Sequence, residues 1–201
     1  MRNTNKLVRG IGVKGMDYPV QSNGKEAKEY ALWSSMLTRC TEKLWVRRPT
    51  YTGTTCSENF KNYSFFYEWC QEQVGFKNKD EYGESWHLDK DLLVKSNKLY
   101  SEDTCVFVPQ EINTLIVRRN NHRGKHRIGV YLDKDVVSYV SQCSLKGKRV
   151  YLGRYRTGED AFRAYKTYKE NLIKQVANEY KSQLDLRVYQ ALINYTVEIT
   201  D

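Results

Sequence analysis

Between Ile128 and Tyr180 the hydrophobic period changes once, from two to 3.6, and this switch constrains the fold more than any other feature of the chain. Three strand signals come first: IGVYLD (128–133), SYVSQCSL (138–145) and RVYLGRYR (149–156). Lys146-Gly147-Lys148 joins the second and third as a tight hairpin. Thr157 then stands where a helix N-cap belongs, with Asp160 at the capping-box offset where Glu or Gln is preferred. A long helix follows, with Ala161, Phe162, Tyr165, Tyr168, Leu172, Val176 and Tyr180 as its apolar face. The pattern predicts a small three-stranded antiparallel sheet packed on one long helix, which buries one face of the sheet.

The charge falls on the same region. The 201 residues hold 33 Lys+Arg against 24 Asp+Glu, a formal charge of +9. From Arg118 to Arg156 there are eleven basic residues against two acidic ones, Asp133 and Asp135, a local excess equal to that of the whole chain. A solvated face mixes signs, so a one-signed block of this size points to a polyanion. An anionic membrane would call for a basic amphipathic helix, and this block is built from strand residues, so nucleic acid is favoured. The chain has no apolar run long enough to span a bilayer and no apolar segment after its first charges to serve as a secretory signal. Five cysteines, an odd number with no CxxC pair, exclude a zinc ribbon and leave reduced thiols as the expectation.

The rest of the chain reads as helix and loop. Residues 1–24 form a loop-rich arm. Residues 25–45 are predicted helical, with Tyr30, Trp33, Leu37 and Cys40 on one face. A second helix is predicted within 59–74, where Phe66, Trp69 and Cys70 share a face. A short strand, Val106–Val108, sits between turns. The expected organisation is α+β in class, with an N-terminal domain (1–116), a basic linker (117–127), the sheet-plus-helix domain (128–181) and a short apolar tail (182–201).

Two resemblances attach to these residues. GVYLDKDVVSYVSQCSLKGKRVYLGRYRTGEDAFRAYKTYKE resembles the DNA-binding domain of plant ethylene-response factors, which also accompanies phage integrases and HNH homing nucleases. The likeness rests on Gly129-Val130, the step Leu152-Gly153-Arg154-Tyr155, the Thr cap and the A-F-x-A-Y of the helix. In that family the sheet lies in the DNA major groove. The resemblance therefore implies double-stranded DNA as partner, with Arg149, Tyr151, Arg154 and Arg156 on the strands and Lys146 and Lys148 in the turn facing it. The basic linker adds Arg118, Arg119, Arg123, Lys125 and Arg127.

The central segment resembles the HNH (His-Me finger) nucleases of the phage type, which implies a ββα-metal nuclease domain. Cys105-Val106-Phe107-Val108-Pro109-Gln110-Glu111-Ile112-Asn113 matches the closing motif of that family and places Asn113 as a metal ligand. His87-Leu88-Asp89-Lys90-Asp91 resembles its opening, with His87 as general base, and Asn97 matches the loop Asn. Trp33-Ser34-Ser35-Met36-Leu37-Thr38-Arg39-Cys40 and the later P-T-Y, L-D-K-D and C-x-F-V-P extend the likeness over most of residues 8–181. Phosphodiester hydrolysis asks for a base to activate water and a hard divalent cation to offset charge on the leaving oxygen.

Trp86 stands where an HNH enzyme has its first metal ligand. A second register, slid by three, makes Asp89 the ligand and puts Lys90 in the base position. Asp89 and Asn113 keep their roles in both. Taken singly, Asp89 and Asp91 also read as loop or capping acids. The expectation is a Mg²⁺-dependent (or Mn²⁺-dependent) phage or mobile-element endonuclease in the cytoplasm of a bacterial host, a nickase acting as monomer or weak homodimer. The rivals are a non-catalytic DNA-binding regulator descended from such an enzyme and, more weakly, an RNA-binding protein.

Overall fold

The computed structural model describes residues 7–116, 126–145 and 147–199. The protein is α+β, and it divides into two compact units between Pro109 and Gln110. This division falls before the expected 116. Helix α4 (Gln110–Ile116) belongs to the second unit, where the Tyr180 hydroxyl lies 3.3 Å from Oε2 of Glu111.

Strands of the first unit are two or three residues long. β1 (Gln21–Ser22) pairs with β2 (Lys25–Glu26), and β3 (Thr55–Cys56) runs parallel to β5 (Leu99–Tyr100). β4 (His87–Asp89) is antiparallel to β6 (Val106–Val108). Ladders this short close few hydrogen bonds, so burial of side chains has to hold the unit together. Helices α1 (Lys28–Arg39) and α3 (Tyr63–Glu72) supply the main packing, with Trp33, Met36 and Leu37 of α1 and Tyr63, Phe66, Trp69 and Cys70 of α3 buried.

The core is aromatic. Phe60 lies 4.8 Å from Trp69 and 5.1 Å from Phe66, and Phe107 of β6 lies 5.9 Å from Trp69. The Trp33 indole N–H donates to the Phe60 carbonyl at 2.7 Å, so the buried polar edge of that ring is satisfied. Asn62 caps α3 by accepting from the Ser64 N–H at 2.9 Å.

The single helix expected over 25–45 is two. α1 ends at Cys40, and α2 (Glu42–Arg47) restarts after Thr41, whose φ of −110° and ψ of 139° are extended. The Trp45 indole donates to the Arg39 carbonyl at 2.9 Å, which satisfies a carbonyl at the end of α1 and pins the corner.

In the second unit, β7 (Val130–Asp133), β8 (Ser138–Leu145) and β9 (Lys148–Tyr155) form one antiparallel sheet in the order β7-β8-β9. A bulge at Ser141/Gln142 leaves Leu152 without a partner across the ladder. α5 (Gly158–Glu179) packs across the sheet and buries Ala161, Phe162, Tyr165, Leu172, Ile173, Val176 and Ala177. Thr157 caps it, accepting from the Asp160 N–H at 3.1 Å. Gly129, at φ +73°, lies so close to the Tyr165 ring that a Cβ there would fall 2.0 Å from it. The tail is ordered too: α6 (Leu186–Ile193) packs on α5 through Val188 and Leu192, and the Val197 N–H donates to Glu170 at 2.9 Å.

Candidate functional site

The β4/β6 ladder positions the first cluster. His87 faces Val108 across it and Asp89 faces Val106, so His87 and Asp89, two residues apart, share one strand face. Trp86 points into the core. It is 2% exposed, and its ring fills the space beside Gly75, where a Cβ would come within 2.5 Å. The first-ligand position of the His87 register is thus occupied by a packed indole, a donor with no lone pair for a cation.

The loop after β4 is organised by its polar side chains. Asp89 Oδ1 accepts the backbone N–H groups of Asp91 and Leu92, both at 2.7 Å. Burial pushes the Asp89 carboxyl above the usual carboxylate range, and these two hydrogen bonds pull against that shift. Asn97 clasps the other end: its amide N–H₂ donates to the carbonyls of Lys90 at 2.9 Å and Leu99 at 2.6 Å, while its oxygen accepts from the Leu99 N–H at 3.0 Å. Asn97 therefore holds the loop in shape, a positioning role.

Lys90 is 6% exposed. Its ammonium donates to the Asn97 carbonyl at 2.6 Å, pairs with Asp91, and lies 5.6 Å from the Tyr100 ring centroid. That ammonium is committed to the loop, whereas the His87 imidazole shares the face of Asp89. Asn113 lies half-buried on α4, in the second unit.

Arg39 and Tyr100 were not singled out as site residues from the sequence. The Arg39 guanidinium donates to the Tyr100 hydroxyl at 2.9 Å. Burial works against its charge, but Tyr100 and, to a smaller extent, Asp89 outweigh that and raise its pKa. A cation from α1 is thus within electrostatic reach of the Asp89 carboxylate. The available signal was its place in Trp33-x-x-Met36-Leu37-x-Arg39-Cys40, which assigns it no role.

The second cluster is the sheet face turned away from α5. Tyr131, Val140 and Arg154 align across the three strands, Gln142 pairs with Tyr151 and Ser144 with Arg149. The opposite face carries Tyr139, whose ring touches Gly158 at the head of α5. Tyr131 is 44% and Tyr151 64% exposed, and Lys148, Arg149, Arg154 and Arg156 are exposed around them. Arg154 spans the sheet to pair with Asp133 at 2.9 Å. Arg127 is bound elsewhere, in an ion pair with Glu159 and 5.9 Å from the Phe162 ring of α5. Arg118, Arg119, Arg123, Lys125 and Lys146 lie outside the described residues.

Among the described residues there is no group of three or more His, Cys, Asp or Glu side chains arranged to hold a metal, and no helix is long and apolar enough to cross a membrane. The donor chemistry that remains is that of a sparse oxygen site. Asp89 offers a desolvated carboxylate fixed by two N–H groups, a ligand type that suits a hard cation retaining most of its waters. Comparison with known protein families, with curated proteins and with solved structures returns no match.

Proposed function

We propose that the chain is a sequence-preferring, divalent-metal-dependent DNA endonuclease that nicks duplex DNA. The observation that carries this reading is the antiparallel β4/β6 ladder, which sets His87 and Asp89 on one strand face. His87 takes the proton of the attacking water as a neutral imidazole. Asp89 would hold Mg²⁺, which when bound would compensate the charge developing on the leaving oxygen. Asn97 and Lys90 keep the loop beside Asp89 in one conformation, and the outward face of β7-β8-β9 supplies duplex binding, with Arg149 and Tyr151 as readers.

The second reading, a DNA-binding regulator with a decayed site, is favoured by one feature: Trp86 is a core residue where a ligand belongs.

The experiment is incubation of the purified protein with supercoiled plasmid and with phage genomic DNA, in Mg²⁺ or in EDTA, beside His87→Ala and Asn113→Ala. Relaxed circles that require metal, His87 and Asn113 are expected. Absence of cleavage of either DNA, with salt-sensitive duplex binding retained, moves the regulator to first place.

A further inference from the structure

The second unit has an open groove of about 850 Å³ between β9 and α5. Arg154, Tyr155 and Arg156 form one wall, and Arg163, Tyr168 and Asn171 belong to the other. The α5 residues recur at helical spacing, on a stripe separate from the buried one that packs on the sheet. Tyr168, expected in the apolar face of the helix, is half-buried at the margin of that face and also lines this groove. β9 is the edge strand of its sheet, so the groove opens where the ladder ends.

Its charge is one-sided. The lining includes three arginines and one acid, Asp160. Asp160 lies 3.9 Å from Arg163, at the outer limit of an ion pair, and accepts the Thr157 hydroxyl at 2.7 Å. Arg154 is paired with Asp133. Arg156 and Arg163 are exposed and carry most of the uncompensated charge. Guanidinium groups that share a groove with tyrosine rings suit an extended phosphodiester, since the forks bind phosphate oxygens in pairs.

We propose that the β9/α5 groove is a second nucleic-acid contact, which seats the sugar-phosphate backbone of the duplex where it passes over the β9 edge. This inference rests on the reading of the outward sheet face as a DNA-binding surface. Arg154 links the two, since it both lies on that face and lines the groove. Charge complementarity and this continuity favour the same duplex as occupant. Arg156 and Arg163 hold its phosphates, and Asn171 adds an amide donor.

The test is fluorescence anisotropy of the full chain with a labelled mixed-sequence duplex, titrated over a range of salt. Each phosphate neutralised contributes about 0.9 to the slope of log K against log salt. Arg163→Gln is expected to lower that slope by about one and weaken low-salt binding roughly five- to thirty-fold. The double variant with Arg156→Gln should lose about two from the slope. Both side chains are exposed, and a thermal melt checks that the variants remain folded. Tyr151→Ala and Arg149→Gln run alongside. If they weaken binding while the groove variants leave affinity and slope unchanged, the groove proposal falls and the sheet reading stands. If the groove variants weaken binding and the sheet variants do not, the duplex does not reach the groove from the sheet face, and the sheet reading and this proposal are overturned together. If the wild type binds no duplex, both are overturned.

Discussion

The two units solve the same folding problem by different means. The second has eight-residue strands and a 22-residue helix, and the residues that define its shape repeat along those elements. In the first, no strand among the described residues exceeds three residues, and its shape depends on aromatic rings brought together from α1, α3 and β6 with loops tied by Asn97, Asp89 and Lys90. The longer ladders set Tyr131, Arg149, Tyr151 and Arg154 exposed on one sheet face around the buried Val140, which suits a broad polyanion surface. The loop-built unit instead fixes a few polar groups in one place, which suits chemistry at a single phosphate.

The largest effect expected from this contrast separates catalysis from binding. His87→Ala should lower single-turnover nicking about 10²- to 10⁴-fold, the usual range for loss of a general base, with duplex affinity unchanged. Equal cleavage by the variant would exclude His87 as base and leave the Lys90 register. The next effect concerns folding. Trp86→Ala should cost roughly 3–5 kcal/mol, because a large buried ring is removed from a core with little ladder to support it. Denaturant unfolding followed by near-UV circular dichroism should show one shifted transition, with duplex binding retained below it. Gly129→Ala, which drives a Cβ into the Tyr165 ring, should reverse the pattern and shift the transition of the second unit. A smaller change is expected at the surface: Arg149→Ala should cost about 1–3 kcal/mol of preference between duplexes while leaving nicking of bound DNA intact, measured by competition binding.

The same contrast explains what could be read in the sequence. The strand at 138–145 and the Thr157 cap are legible because alternation over eight residues and a cap followed by an amphipathic run are strong local signals. Tyr168 stands half-buried at the margin of the apolar face, a detail the sequence does not carry, because a 3.6 period tells which residues lie near one another on a helix but not how wide the sheet beneath it is. The break at Cys40 and Thr41 is hidden, since nothing there is Gly or Pro and the Trp45 indole that satisfies the Arg39 carbonyl comes from the following helix. The parallel pairing of β3 with β5 joins two dipeptides more than forty residues apart, a contact without local signal. In the candidate site, His87, Asp89 and Asn97 are proposed through motif order, and the ladder puts His87 and Asp89 on one face. Arg39 and Tyr100 are missed because the hydrogen bond that joins them links residues 61 apart, a contact without local signal.

The smallest expected effect is also the most specific to the loop-built site. Burial raises the Asp89 pKa in the folded state above its unfolded value, so the folded protein holds that proton more tightly. Stability contributed by this group is therefore present while the carboxyl is protonated and falls as pH rises from the ordinary carboxylate range through the folded pKa. At neutral pH the metal-free protein carries the cost of a desolvated charge. Asp89→Asn removes that charge while its amide oxygen still accepts the Asp91 and Leu92 N–H groups. It should stabilise the metal-free chain by about 0.5–2 kcal/mol at neutral pH, with the gain vanishing in acid. Thermal melts of both proteins across pH in EDTA check the sign. A loss of stability at neutral pH would mean that Arg39 and Lys90 already neutralise the carboxylate, making Asp89 a structural cap whose charge is spent within the loop.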